Sequence, residues 1–251
     1  MTALAIEHVS KSYALNGVQR PVLNDISFDV APNEIVSIVG ASGCGKSTLL
    51  RLIVGLDEDY RGSIIQGGVS DTKAAKVGMV FQDHRLYPWL TVGANVDLAF
   101  DASNLRKPER LARVHHYLQL VGLSDYEKAY PKQLSGGMAQ RAAIARALAQ
   151  EPDILLMDEP FGALDSILRM RLQDELLSIW EKNRVSIVIV THDVEEALYL
   201  GNRVIVMEPD PGRIRDVFEI ELARPRDRAD PRLAALKQRC LATLVGREAL
   251  S

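Results

Sequence analysis

The sequence predicts an α/β chain whose parallel core is preceded by antiparallel strands and interrupted by a helical insertion. Three observations predict it. Ile35-Val36-Ser37-Ile38-Val39 is a continuous apolar run, the pattern of a strand covered on both faces, and it leads directly into a glycine-rich loop. Between Asp83 and Gln150 the strand pattern gives way to helical stretches. From Ile154 strands and helices alternate again, as in a parallel sheet with crossover helices.

The elements follow in order. Leu4–Val9 and Ile26–Val30 alternate with period two, as half-buried antiparallel strands do. Pro32-Asn33-Glu34 turns the chain into the strand Ile35–Val39, and a helical run covers Leu49–Val54. Thr91–Phe100, Pro108–Val121 and Met138–Ala149 read as helices, with Gly122 capping the second; Pro88, Pro131 and Gly136-Gly137 punctuate them. Then come a strand at Ile154–Met157, a helix at Leu164–Trp180, a strand at Ser186–Val190, a helix at Val194–Leu200 and a strand at Arg203–Met207. The expected division is 1–84, the first part of the core with its antiparallel strands; 85–153, a helical sub-domain; 154–220, the rest of the core; and 221–251, a C-terminal helical extension. That extension carries seven basic and four acidic residues. It reads either as a solvated helix with a basic face or as a patch that docks on a partner or on anionic lipid.

Composition narrows the function classes. The 251 residues are 47% hydrophobic and 25% charged, which suits a packed globular core and excludes disorder as the main state. A net charge of −3 disfavours a dedicated nucleic-acid binder. Two cysteines, Cys44 and Cys240, make no disulfide framework and point to a reducing compartment. Met1-Thr2-Ala3-Leu4 lacks the basic and apolar regions of a secretion signal, and no run reaches the roughly 18 apolar residues of a spanning helix. The expectation is a soluble cytoplasmic protein that works at a membrane only as a visitor.

Three motifs carry chemistry. Gly40-Ala41-Ser42-Gly43-Cys44-Gly45-Lys46-Ser47-Thr48 lies between a strand and a helix and fits G-x-x-x-x-G-K-[ST]. Its glycines let successive N–H groups converge on one anion, and the helix adds the positive end of its dipole. Lys46 reaches the β- and γ-phosphates, and the Ser47 hydroxyl is a hard ligand for Mg²⁺. Cys44 reads as a small loop residue whose oxidation or alkylation would block nucleotide. The strand Ile154–Met157 ends in Asp158-Glu159-Pro160. Asp158 can hold the Mg²⁺, and Glu159 can polarise the water that attacks the γ-phosphate. Ligands sit beyond the carboxyl ends of parallel strands, so loop and carboxylates are expected to converge. Finally, Leu134-Ser135-Gly136-Gly137-Met138 opens a helix: Ser135 caps it, and Gly136 and Gly137 leave N–H groups bare for a second anion.

With these motifs in this order, almost the whole chain resembles the nucleotide-binding ATPase subunits of ABC transporters. The resemblance implies a P-loop NTPase (RecA-like) core, with ATP and Mg²⁺ as cofactors. It implies that Tyr13 stacks on adenine, that Gln82 senses Mg²⁺ and the attacking water, and that Ala163-Leu164-Asp165 crosses a dimer interface. It also implies that His192 contacts the γ-phosphate and that Lys46, Glu159 and His192 are catalytic. Met138 stands where the family usually has Gln, which puts one contact to the opposite ribose in doubt. Each ATP in the family lies between the phosphate loop of one subunit and the Ser135 segment of the other. One copy of each per chain therefore implies a head-to-tail homodimer. The implied partners are two transmembrane permease subunits and, indirectly, a solute-binding protein. No nucleic acid is implied, and the place is the cytoplasmic face of the cell membrane. A cleft near Leu86, Tyr87, Pro88 and Trp89 would receive a helix of the permease. Arg85-Leu86-Tyr87-Pro88-Trp89, Asp210-Pro211-Gly212-Arg213-Ile214 and Arg224-Pro225-Arg226-Asp227-Arg228 are similar to strings of the nitrate, aliphatic sulfonate and taurine importers. An exporter or lipid-transporter ATPase, or an ABC ATPase acting on DNA or ribosomes, is the alternative.

Overall fold

A computed structural model describes residues 2–15, 17–67, 75–162, 164–183 and 185–246. Met1, Ala163 and residues 247–251, which entered the sequence reading, lie outside the described residues. In chain order the elements are β1 (Leu4–Leu15), β2 (Val18–Val30), β3 (Ile35–Gly40), α1 (Lys46–Ile53), β4 (Arg61–Gln66), β5 (Val77–Val80), α2 (Val92–Asp97), α3 (Lys107–Leu120), α4 (Gly136–Ala149), β6 (Ile154–Asp158), α5 (Ser166–Asn183), β7 (Ser186–Thr191), α6 (Val194–Leu200), β8 (Arg203–Glu208), β9 (Arg213–Glu219) and α7 (Pro231–Val245). They form two units, residues 1–75 with 186–251, and residues 76–185.

In the first unit β3 runs parallel to β7 on one side and to β8 on the other, and β9 returns antiparallel on β8. All six residues of β3 and all six of β7 are buried, as their continuous apolar pattern predicts. A second sheet has the antiparallel order β2-β1-β4. Its first two strands run well past the predicted Val9 and begin well before Ile26. The alternation signal fades because the pairing slips between Ile6 and Val9 and again between Val9 and Lys11; His8, with a φ of 53°, lies in the first slip and Asp25, at 55°, in the second. Such a bulge breaks the two-residue period without ending the strand. The strands β4 and β9 were not expected. Both expose much of their length, so neither leaves an apolar stripe to read.

The second unit contains the parallel pair β5–β6 and the helices α2 to α5. Its α4 is alanine-rich, and Ala139, Ala142, Ala143, Ala145, Ala147 and Ala149 are all buried, which lets neighbouring helices approach closely. Helices begin where their caps allow. Thr91 Oγ1 accepts from Ala94 N at 3.1 Å, and Ser135 Oγ accepts from Met138 N at 3.3 Å, so α4 starts two residues before the predicted Met138. Gly122 follows α3 with a φ of 66°, the left-handed close expected of it.

The C-terminal segment departs from the solvated basic helix that its composition suggests. Residues 221–230 are not helical, and α7 packs Leu233 and Cys240 into a cluster with Val194, Leu198, Phe218 and Ile220. Burial pushes the Cys240 thiol up to about 11, so it is an inert core residue. Arg226 turns inward and is 6% exposed. Its guanidinium donates to Leu198 O at 2.8 Å, Tyr199 O at 2.9 Å and Gly201 O at 2.6 Å, closing the carboxyl end of α6. Arg224 donates to Leu200 O at the same helix end. Among the described residues no helix is long and apolar enough to cross a membrane.

Candidate functional site

The phosphate loop spans the end of β3 and the start of α1. Gly43 has a φ of 84° and Gly45 a φ of 92°, angles that an L-side chain rarely adopts and that let N–H groups of such a loop converge on one anion. A Cβ on Gly43 would meet nothing within 4 Å, which leaves room for a ligand above the loop. Lys46 is 6% exposed and lies along the loop, with Nζ donating to Gly40 O at 2.8 Å and Ala41 O at 3.1 Å and 3.8 Å from Cys44 Sγ. These three acceptors are neutral, so they hold the ammonium in place without cancelling its charge. Ser47 follows in the first turn of α1. The backbone therefore fits a polyphosphate, and Lys46 with Ser47 fits its magnesium-bound end. Cys44 is buried and its thiol is pushed up by that burial, with Lys46 offsetting part of the effect. Both facts suit the small loop residue expected from the sequence and oppose oxidation or alkylation of the thiol.

The register places His192 beside this loop. Val39 pairs with Thr191, so Gly40 and His192 leave neighbouring strand ends at the same edge. His192 is exposed there. Thr191 Oγ1 accepts from Asp193 N at 3.0 Å, and Asp193 Oδ1 accepts from Glu195 N at 2.9 Å and Glu196 N at 3.2 Å, so the residue after His192 caps α6.

Tyr13 lies on the antiparallel sheet and is 38% exposed. Two residues that the sequence reading missed hold it. The Tyr13 hydroxyl donates to Asp57 Oδ2 at 2.9 Å, and the Lys11 ammonium sits over one ring face, 4.7 Å from its centroid. Lys11 is itself buried, donating to Asp57 Oδ1 at 2.8 Å and to Asp59. Its position two residues before Tyr13 on a strand was a readable signal; Asp57, in a loop after α1, gave none. The Lys11 ammonium holds the Asp57 carboxyl below the usual carboxylate range. A carboxyl with a lowered folded value stabilises fully above its unfolded value, and that stability disappears as the pH falls through the folded one. Melting curves from neutral pH to about pH 3 are expected to fall less steeply on the acid side for Asp57→Asn than for wild type. Superimposable slopes would remove Asp57 from this role.

In the second unit, Asp158 ends β6 and Glu159 follows it with a φ of 44°. A left-handed glutamate costs about 1 kcal/mol, strain of the kind held at functional sites. Val80 pairs with Met157, so Gln82 leaves β5 at the level where Asp158 and Glu159 leave β6. A carboxylate and a side-chain amide are oxygen donors of the type that suits Mg²⁺. The backbone beyond Gln82 is tied to α4, because Arg146 donates to Arg85 O at 2.8 Å and His84 O at 3.2 Å. Buried Asn95 likewise holds the Tyr87–Thr91 turn, accepting from Tyr87 N at 2.7 Å and donating to Thr91 O at 2.9 Å. Beyond it Tyr87 and Trp89 stand 45% and 69% exposed with their rings 5.3 Å apart, while Leu86 is buried.

Ser135 and Asp165 start neighbouring helices. A Cβ on Gly137 would lie 2.4 Å from Leu168 Cδ2, so α4 and α5 come close here, with the Leu168 side chain against the glycine. Asp165 Oδ1 accepts from Leu168 N at 3.0 Å, a capping bond that the sequence reading did not assign to it. Gly136 is exposed, and a Cβ there would meet nothing within 4 Å.

The family model described as ABC transporter matches residues 23–162. The chain belongs to the ATP-binding subunits of ABC transporters. An aliphatic sulfonates import ATP-binding protein of Burkholderia lata is 52% identical, covering 88% of this chain and 80% of the relative. Its counterpart in Bacillus subtilis is 47% identical, covering 95% and 93%. The solved dimeric structure of a bacterial ABC transporter cassette is 32% identical with a TM-score of 0.77, covering 88% of this chain and all of that one. A second solved cassette, in a post-hydrolysis state with ADP and Pi, has a TM-score of 0.76 at 31% identity. The subunit is thus an ABC ATPase that works with ATP and Mg²⁺, on the P-loop α/β fold that its sequence predicts.

Proposed function

We propose that this chain is the ATP-hydrolysing motor of an importer for aliphatic sulfonates or related small anions. The observation that carries the reading is its 47–52% identity, across most of both chains, to subunits named for sulfonate import. The three strings around Pro88, Gly212 and Pro225 point to the same group.

The proposed residue roles are supported by the geometry of each unit. Gly40–Thr48 cradles the phosphates, Lys46 stabilises charge that builds on the γ-phosphoryl group, and Tyr13 offers its free face to the base. Ser47, Gln82 and Asp158 would hold the Mg²⁺, which would offset phosphate charge. Glu159 accepts the proton of the attacking water, and His192 donates to the γ-phosphate from the neighbouring strand end. Ser135 Oγ accepts within its own helix, which leaves its O–H to donate, together with the Gly136 and Gly137 N–H groups, to the ATP held by a second copy. A subunit with one loop and one such helix start completes its sites only as a head-to-tail pair, with Asp165 at the seam. ATP binds the closed pair better than the open one, so binding closes it and hydrolysis releases it. The exposed Tyr87 and Trp89 offer the apolar surface for a permease helix. On this reading the subunit works at the cytoplasmic face of the membrane, below two permease subunits served by a solute-binding protein.

The test is affinity purification of the tagged chain from gently solubilised membranes, followed by uptake of a labelled short alkanesulfonate. Co-purification of a polytopic permease and uptake that fails with Lys46→Ala are expected. Recovery of ribosomal or DNA-repair proteins without any membrane protein would overturn the transport reading and leave the ATPase.

A further inference from the structure

The string Asp210-Pro211-Gly212-Arg213-Ile214 takes no part in the reaction above, yet the fold seats it against the phosphate loop. Gly212 ends the turn between β8 and β9. Its N–H donates to Val22 O at 2.9 Å, and its carbonyl accepts from Asn24 N at 2.9 Å, so it is bonded to β2 on both sides of Leu23. A Cβ on Gly212 would lie 2.1 Å from Cys44 O and 2.9 Å from Val22 O. Both obstacles are backbone and neither can swing away. Glycine is needed there for space.

Leu23 completes the seat. It is 1% exposed, and its Cδ2 lies 2.5 Å from where a Cβ on Gly45 would be. At the other end of the loop a Cβ on Gly40 would meet Met207 O at 2.7 Å. Gly40, Cys44 and Gly45 are therefore backed by Met207, Gly212 and Leu23. The peptide between Cys44 and Gly45 is the one pressed from two sides, and its plane sets the direction of the Gly45 N–H. Misplacing a binding group by about 1 Å can cost a factor of about a hundred.

We propose that Gly212 and Leu23 are positioning residues for the ATP site: they touch no phosphate and act by fixing the Cys44–Gly45 peptide. The inference rests on reading Gly40–Thr48 as the ATP cradle. It gives the β8–β9 string a physical task in nucleotide binding.

The experiment compares Gly212→Ala, Leu23→Ala, Lys46→Ala and Leu118→Ala in the full chain. It measures the Kd for a fluorescent ATP analogue with Mg²⁺, and the melting temperature without nucleotide. Gly212→Ala and Leu23→Ala are expected to weaken binding about tenfold or more. Leu118→Ala, in the α3 core of the second unit, should lower the melting temperature and keep the wild-type Kd. If Gly212→Ala does not fold, Leu23→Ala decides. Wild-type Kd values in the foldable seat variants, or a Kd loss in Leu118→Ala that scales with its melting temperature as theirs does, would overturn the proposal. Lys46→Ala separates the two readings, since wild-type binding by that variant would remove the cradle itself.

Discussion

Glu159→Gln is expected to lower ATP turnover by about 10²–10⁴-fold while leaving ATP bound. The amide keeps the volume of the carboxylate and the left-handed turn at 44°, in which Gly162 N donates to Glu159 O at 3.2 Å. What it lacks is a group able to take a proton from water. The loop, Lys46 and the Ser135 helix start are untouched, so binding and closure go on without the step that opens the pair. Steady-state phosphate release and size-exclusion chromatography in ATP and Mg²⁺ check this together. The variant should elute as a dimer that retains ATP, whereas wild type returns to its resting state as ATP is consumed. Turnover within tenfold of wild type would take the general-base role away from Glu159. A monomer without nucleotide would count against the head-to-tail pair.

The parts of this molecule that the sequence made legible are those where one residue type has one physical use. The loop is legible because only glycine tolerates φ values of 84° and 92° next to a lysine that must reach phosphate. Ser135 is legible because a hydroxyl before two glycines is a helix start. The strands β3 and β7 are legible because continuous burial leaves continuous apolar sequence. What stayed hidden depends on partners remote in sequence. Asp57 matters only because β1 carries Tyr13 and Lys11 past it, and Arg146 only because the chain folds His84 and Arg85 beneath it. Gly212 reads as a turn glycine until β2 brings Val22 and Asn24 to its two sides. Asp165 was legible as a family position, but its capping of α5 was not.

The C-terminal arginines were misjudged for a related reason, and they carry the second large effect. Composition counts Arg224, Arg226 and Arg228 as a basic surface, because arginine is seldom buried. A guanidinium is also the side chain best suited to several carbonyls at once, with five donors in a fixed plane. The carboxyl end of α6 presents such carbonyls. Arg226 takes those of Leu198, Tyr199 and Gly201 and adds Ile220 O at 3.3 Å and Leu222 O at 3.2 Å. The positive charge also faces the negative end of the helix dipole. Burial, with Arg224 nearby, pulls the Arg226 guanidinium down to about 10, still well above neutrality, so the cap is charged in any ordinary assay. Arg226→Ala leaves several buried carbonyls without a donor and is expected to cost about 3 kcal/mol. In a chain of this size that is a fall of roughly 6–12 °C in melting temperature. Arg226→Lys should recover only part of it, because one ammonium cannot span the same oxygens. Both variants melting within about 2 °C of wild type would show that the cap adds little. Because Asp193 starts α6 directly after His192, loosening the far end of that short helix should also raise the KM for ATP. Arg226 thus links the segment that looks most like a docking tail to the histidine beside the phosphate loop.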